Sequence, residues 1–414
     1  MVLSVDTVIV GGGALGSAAA WQLARRGAEV LVLEQCPADG RGPEPADPAA
    51  PDDAAAVQPA AAVFSAHPFL VASTDSVRLA MLREAVPEWN ELEASSEGPL
   101  VSRTGAVLHG AVPELDDLAE LVRRFGFEAE ALPAAEAERR WPGLLFEERV
   151  LSTPGAGSVD PVAALGSLRR AAAEEGAEFR HGHRVTRVRV LGDDEVRLEV
   201  QPVDDAGGSA SGEEVVVARQ AVFAVGVWTT KLLGRVIALP HTIVGRSQPT
   251  RYSRTHPLEE PWPVLSHRPD PGSRRHRSWP GALDAVPDPS GIVLRWRDVG
   301  RVVDPDAGPA RPDPRQRTAL QRYVREWLPG ADPDGGVETW SVFARTADTQ
   351  FVIDRIGPVV VGAGLPERGF AFVPAVGRIL ADLAEGSGGN GPGGLRSASG
   401  PARFSLLPSR RERS

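Results

Sequence analysis

An α/β fold is predicted by three stretches of this chain: a strand, glycine turn, helix and strand at 6–34, a short buried strand at 221–225 ending at Gly226, and a strand, loop and helix across 357–383. The first stretch reads DTVIVGGGALGSAAAWQLARRGAEVLVLE. Residues 7–10 form a β-branched, apolar run of the kind buried on both faces of a parallel sheet. Gly11, Gly13 and Gly16 follow as G-x-G-x-x-G. The first glycine permits a tight turn, the second lets a pyrophosphate approach the backbone, and the third lets the helix pack closely on the strand. The helix N-terminus offers unpaired N–H groups and a positive dipole end, so Gly11, Gly13, Ala14, Leu15 and Gly16 read as an anion cradle for a dinucleotide. Leu15, Ala19 and Leu23 share one helix face, Arg25 and Arg26 complement the C-terminal dipole, and Gly27 stops the helix. The second strand, 29–33, leads into Glu34, a carboxylate placed to accept hydrogen bonds from ribose hydroxyls and to repel a 2′-phosphate.

The spacing carries this reading only through its context. With 44 glycines in 414 residues, chance supplies about 0.5 matches per chain. Gly389, Gly391 and Gly394 repeat the spacing inside EGSGGNGPGGLRSASG, where nothing resembles a strand or helix, and the stretch 387–414 reads as a flexible tail. A chain of this length implies two domains. A formal net charge of −10 argues against a nucleic-acid surface. No apolar run is long enough to cross a bilayer, and no basic leader precedes the first strand, so a protein off the membrane is expected. Cys36 is the single cysteine, which excludes an intrachain disulfide and a cysteine-rich metal site and fits a reducing cytoplasm.

Further along, 37–62 is built of Pro, Ala and Asp and reads as a mobile insertion. Helices are expected at 76–92, with Val77, Ala80, Met81, Ala85 and Trp89 on one face, and at 114–125, 134–140 and 162–175, the last with Pro161 at its start. Strands are expected at 104–109, 178–190, 195–201, 214–217, 221–225 and 357–361, and a closing helix at 374–383. Residues 228–330, rich in Pro, Arg and Trp, read as a layer of mixed strands and loops.

The cradle, RTGAVLHG (103–110), RRWPGL (139–144), AVFAVGVWTTKLL (221–233), DTQFVIDRIGPVVVGAG (348–364) and GFAFVPAVGRILADLAEG (369–386) together resemble the glycine oxidase and sarcosine oxidase family of FAD-dependent amine oxidoreductases. The resemblance implies a Rossmann-like FAD-binding domain, made from 1–80, 150–226 and 340–390, with an interleaved α+β substrate domain, 81–149 and 227–339. The flavin ring would lie at their junction. It further implies that Gly11, Gly13 and Gly16 hold the pyrophosphate, Glu34 the ribose and Val185 the adenine, with Gly226 in the same site. Gly364, Gly369 and Phe370 would line the flavin ring. Where one branch attaches flavin to a cysteine this chain has Ser341, so non-covalent FAD is expected. Where that branch has an oxygen-activating lysine it has Val293, with Arg295 two residues on. The carboxylate-binding positions fall at His67 and Ala371, an aromatic wall at Phe343, and a flavin-side histidine position at Arg368.

Several of these residues carry two readings. His67 is either an anion partner or base, or a loop histidine in water. Arg368 either stabilises charge at the flavin or is an exposed loop arginine. His181 and His183 have the spacing of a metal pair on one strand but no third ligand nearby, and no metal site is expected. Arg274, Arg275, His276 and Arg277 form a basic run that suits an acidic partner or a solvated loop. Trp296 and Phe343 suit either a substrate wall or the core. The sequence contains neither a G-x-S-x-G elbow nor a P-loop, leaving hydrolase and triphosphatase readings without support. The expected activity is oxidation of a C–N bond in an amine or amino-acid-like substrate, by hydride transfer to FAD, with oxygen or another electron acceptor. A flavin tailoring enzyme for a larger substrate without a free carboxylate, or a flavin-binding protein that has lost turnover, are the alternatives.

Overall fold

A computed structural model describes residues 2–37, 67–69, 73–112, 114–203, 212–257, 260–289, 291–307, 312–386 and 405–406. The insertion expected at 37–62 lies, from residue 38 on, outside these. Of the expected tail, Ser405–Leu406 pairs antiparallel with Ile237–Ala238, and the remainder is likewise outside.

The strand Val2–Val10 is the centre of an eight-stranded sheet. It pairs in parallel with Val30–Leu33 on one side and Glu214–Phe223 on the other, and Glu178–Arg180 extends the parallel set beyond Val30–Leu33. Its inward run Thr7, Val8, Ile9 and Val10 is fully covered, as an apolar β-branched segment in a parallel sheet must be. The strands expected separately at 214–217 and 221–225 are one strand. Its first half pairs antiparallel with Val196–Pro202, and its second half runs parallel to Val359–Ala363. The polar interruption that divided them in the sequence is accommodated because the buried Gln220 amide is hydrogen-bonded to Thr7 Oγ1 at 2.9 Å. Conversely, 178–190 is two strands, Glu178–Arg180 and His183–Val190, broken at Gly182, whose φ is +68°. His181 and His183 therefore do not share a strand face, and His183 Nδ1 lies 2.7 Å from the His181 carbonyl oxygen.

The helix Ala14–Ala24 lies over this sheet and is wedged between Pro161–Glu174 and Val373–Ala384. Asp160 caps the first of these neighbours by accepting from the N–H groups of Val162 and Ala163. The helix Ser76–Ala94 packs on Val373–Ala384 through Leu79, Met81, Leu82, Ala85, Trp89 and Leu92. Val77, expected on that face, is exposed.

A second eight-stranded sheet runs in the order Val337–Glu338, Thr250–Ser253, Gly291–Trp296, Leu283–Asp288, Val264–Arg268, Ala106–Gly110, Arg149–Thr153 and Glu130–Pro133. Helix Pro314–Trp327 covers it and was not anticipated, because its arginines mask the apolar stripe of Leu320, Tyr323, Val324 and Trp327. Trp296 belongs to this core, not to a substrate wall. Among the described residues no helix is long and apolar enough to cross a membrane.

Two glycines make the first sheet and its helix meet. Gly11 has φ +98°, and a Cβ there would stand 2.5 Å from the Ala224 carbonyl oxygen; a Cβ on Gly16 would stand 1.8 Å from the Gly11 carbonyl oxygen. Gly13 has no atom within 4 Å of such a Cβ. Gly16→Ala in flavin-free protein should therefore lower stability by about 1–3 kcal/mol through overpacking, whereas Gly13→Ala should change it far less. Thermal unfolding of the two variants checks this, and equal Tm values would contradict it.

Candidate active site

The carboxyl ends of the parallel strands open into one cavity of about 500 Å³, into which Val10, Leu33, Ala224 and Ala363 all project. A ligand crevice is expected at this edge of a parallel sheet. Gly11, Gly13, Ala14, Leu15, Glu34, Val185, Gly226, Gly364, Phe370 and His67 line it. Gly16 does not line it and acts through helix packing; Gly369 and Arg368 do not line it either.

The cradle has the chemistry a pyrophosphate needs. Gly13 is the N-cap of helix Ala14–Ala24, no side chain caps that end, and the open space above Gly13 leaves room for a phosphate. Glu34 is buried, with Oε2 accepting from Gly12 N–H at 2.7 Å and Oε1 from Cys36 N–H at 2.8 Å. That clamp orients a carboxylate that still has lone pairs for ribose hydroxyls. Arg169, which no local motif announced, donates from Nε and Nη2 to the Gly12 carbonyl at 3.0 and 2.9 Å and lines the cavity. Val185 lies at a bulge of the strand pair that borders the same end. Burial, with the Glu34 charge beside it, pushes the Cys36 thiol up to about 12, so it stays protonated and unreactive.

The second polar group is built from three distant segments. His67 lies in the strand His67–Phe69, stacked on Phe370 with ring centroids 5.1 Å apart. Its Nδ1 is 3.3 Å from the Glu367 carbonyl oxygen, which makes Nδ1 the protonated nitrogen and puts the lone pair on Nε2. Burial, reinforced by the Arg295 charge, lowers its pKa to about 3. His67 is thus neither solvated nor cationic. Arg295, 3% exposed, donates from Nη2 to the Glu367 carbonyl at 3.3 Å and holds Nη1 3.7 Å from Glu367 Oε1. The Glu367 carboxyl, pushed up by burial against the pull of Arg295, also accepts the Asp298 N–H at 2.9 Å. Both Arg295 and Glu367 line the cavity. At this corner of the cavity the guanidinium is thus Arg295, and Arg368 does not reach it.

Arg368 is committed elsewhere. Its Nε and Nη2 bind Asp284, and Nη2 donates to Ser266 Oγ at 2.6 Å. Arg297 donates to the same two oxygens of Asp284 at 2.9 and 2.6 Å. Burial opposes the Asp284 charge, but the two guanidiniums outweigh it and hold the carboxyl well below the usual range. The reading of Arg368 as an exposed loop residue also fails, since its side chain is only 20% exposed and is bound to Asp284 and Ser266. Phe343 does line the cavity, with Ser341, whose Oγ is 2.8 Å from Ser247 Oγ. Ala371 is buried and does not line the cavity; its carbonyl accepts from Trp89 Nε1 at 2.9 Å.

A model of the FAD dependent oxidoreductase family, DAO, matches residues 6–383. The chain belongs to that family. The family resemblance of the sequence motifs, the FAD cofactor and the oxidoreductase class are all supported by this match, and the cavity offers the anion cradle and ribose acceptor that FAD requires. Among curated proteins the chain is 24% identical to a monomeric sarcosine oxidase of Bacillus sp. (strain B-0618), over 92% of each chain. Among solved structures, NikD, described as an unusual amino acid oxidase essential for nikkomycin biosynthesis, superposes with a TM-score of 0.71 at 26% identity, covering 92% of this chain and 94% of that one. A glycine oxidase of Geobacillus kaustophilus superposes at 0.68 and 20% identity, covering 92% and 95%, and shows the shared fold.

Gly13→Val should leave a folded protein that purifies with little FAD, because the branched side chain enters open space the pyrophosphate needs. Flavin absorbance per mole of protein measures this, and full loading would refute the cradle. A second expectation concerns pH. A histidine that is neutral when folded, with its pKa near 3 instead of 6.5, binds fewer protons than the unfolded chain. Its stabilising share is complete above pH 6.5 and drains away as pH falls toward 3, reaching about 2 kcal/mol lost at pH 5. Urea unfolding at pH 7.5 and 5 should show a smaller acid loss for His67→Gln than for wild type. Parallel losses would place the sensitivity elsewhere.

Proposed function

We propose that this FAD-dependent oxidoreductase oxidises the C–N bond of an amine to an imine, and that its substrate is larger and more apolar than sarcosine and has no free carboxylate. The observation that carries this is the pairing of Arg295 with Glu367 inside the cavity, beside a neutral His67. A substrate carboxylate is best held by charge-assisted bonds to cations, about 1.5–3 kcal/mol each. Here the buried guanidinium already has a carboxylate neighbour, and the histidine brings no charge. The walls near this corner include Phe343 and Phe370, which suit a flat or branched apolar group.

Bound FAD supplies the hydride acceptor. The chain's own part is to bind and orient. Gly13 and the N–H groups of the first helical turn hold the pyrophosphate, Glu34 the ribose, and the loop from Gly364 to Phe370 borders the ring. His67 Nε2, as a lone-pair acceptor, would orient an amine N–H, while burial and the neighbouring Arg295 charge favour the neutral amine whose adjacent carbon can release a hydride, the ammonium proton leaving to solvent before binding. Non-covalent attachment follows from a serine at 341, whose hydroxyl is engaged with Ser247. In this reading the first sheet and its helices bind FAD and the second sheet forms the substrate side. Oxygen or another oxidant would take the electrons, and with Val293 at the position of the sarcosine oxidase branch's lysine and Arg295 paired to Glu367, reaction with oxygen would be slow. A cytoplasmic setting accords with the lone Cys36.

The test is anaerobic bleaching of the flavin. An N-alkylated aromatic amine without a carboxylate should reduce it at lower concentration than sarcosine, with sarcosine weaker by roughly ten- to a hundredfold for each missing charged contact. Fast bleaching by sarcosine at sub-millimolar concentration would overturn the assignment.

A further inference from the structure

Away from the flavin cavity, the second sheet brings together three side chains that the sequence keeps far apart. Glu147 precedes the strand Arg149–Thr153, His267 lies in Val264–Arg268, and His276 sits in the turn that follows. Both imidazoles are 0% exposed, and both turn Nε2 toward the same carboxylate: His267 Nε2 is 3.8 Å from Glu147 Oε2, and His276 Nε2 is 3.1 Å from Oε1. One donor atom from each residue lies within 4.8 Å of the others. Neither Nε2 has a partner that satisfies hydrogen-bond geometry. Buried polar nitrogens in that state call for an explanation. None of the three residues lines the cavity.

We propose that Glu147, His267 and His276 bind a divalent transition-metal ion of the zinc class. Bonds of ~2.0–2.1 Å to a tetrahedral ion set its ligand atoms roughly 3.4 Å apart. Each imidazole has one carboxylate oxygen near that distance, His276 at 3.1 Å from Oε1 and His267 at 3.8 Å from Oε2, and the ion draws one atom of each residue, all within 4.8 Å, inward to it. Two imidazoles and one carboxylate suit zinc rather than magnesium or calcium, which take oxygen ligands. The fourth position falls to water or the second carboxylate oxygen. The Glu147 side chain, 25% exposed, gives the ion its way in.

The surrounding groups orient the set. His267 Nδ1 is 3.1 Å from Tyr323 Oη; donating its proton there leaves the lone pair on Nε2, as a metal ligand requires. His109 Nδ1 accepts the Glu147 backbone N–H at 3.3 Å, and its ring lies against His267 with centroids 3.6 Å apart. Trp279 and Trp327 meet the His267 ring edge-on, each at 4.7 Å, and form an apolar wall. His276 differs: its Nδ1 accepts the Asp270 N–H at 2.9 Å, which puts its proton on Nε2. Binding moves that proton to Nδ1 and gives up the Asp270 bond, so uptake reorganises the 270–276 turn. The ion then ties this turn and the strand holding His267 to the segment before Arg149.

The holoenzyme, treated with EDTA and desalted, is titrated with Zn²⁺ and, separately, Co²⁺. One equivalent of zinc should remain through gel filtration, and cobalt should give intense visible bands of a four-coordinate ion in the red, beyond the flavin absorption. Glu147→Gln and His276→Gln should each weaken zinc binding by more than the roughly 10–100-fold typical of losing an outer-shell partner, with flavin content reporting that they fold. If His276→Gln fails to fold, Glu147→Gln decides; if both fail, the wild-type cobalt spectrum decides. Weak six-coordinate cobalt bands, less than one tenth of an equivalent of zinc retained, or equal retention by a folded variant would each overturn the site.

Discussion

The carboxylate of Glu34 receives two main-chain N–H groups, one from the glycine turn and one from the residue after the next, and the ligand end of the cavity depends on this clamp. It ties the turn to the end of the second strand. Arg169 then grips the carbonyl of the same Gly12 from a third element, so the turn is held from both faces. A carboxylate accepting backbone donors in a buried position is a strong, directional constraint. A turn held rigid beforehand loses less affinity to ordering when a ligand binds.

The His67 corner of the cavity is organised differently, by charge cancellation. Glu367 contributes its main-chain oxygen to His67 and Arg295 and its carboxylate to Arg295. One loop residue therefore sets the tautomer of the histidine and the position of the guanidinium. In an apolar cavity the electrostatic consequence is large, since an uncompensated guanidinium would draw anions and raise the demand for a carboxylated ligand. A paired one draws anions less strongly.

The half-buried arginines beside the second sheet follow the same rule. Arg297 and Arg368 share Asp284 and Ser266, so two like charges sit close together only because one carboxylate lies between them. Removing Asp284 would leave both uncompensated, a change of the kind that costs about 3–5 kcal/mol. Position in the flavin loop suggested Arg368 as the cation of the site. In the structure Arg368 instead joins Arg297 on Asp284, whose strand partner is Arg295.

What the sequence by itself determined is local. The strand end at 7–10, its glycine turn, the helix behind it and Glu34 follow from a β-branched run, glycine sterics and helix-end donors within one continuous segment, and the cavity lies at that end. The division of 178–190 at Gly182 and the union of 214–217 with 221–225 were not legible, because strand continuity is set by partners: Val359–Ala363 completes the second half of one, and a positive φ interrupts the other. The meeting of His67, Arg295 and Glu367, and that of Glu147, His267 and His276, belong to the tertiary structure alone. Their spacing in the chain carries no signal. Only the pairing of strands and the turns between them bring such groups within a few ångströms, and burial then decides whether a histidine there is charged.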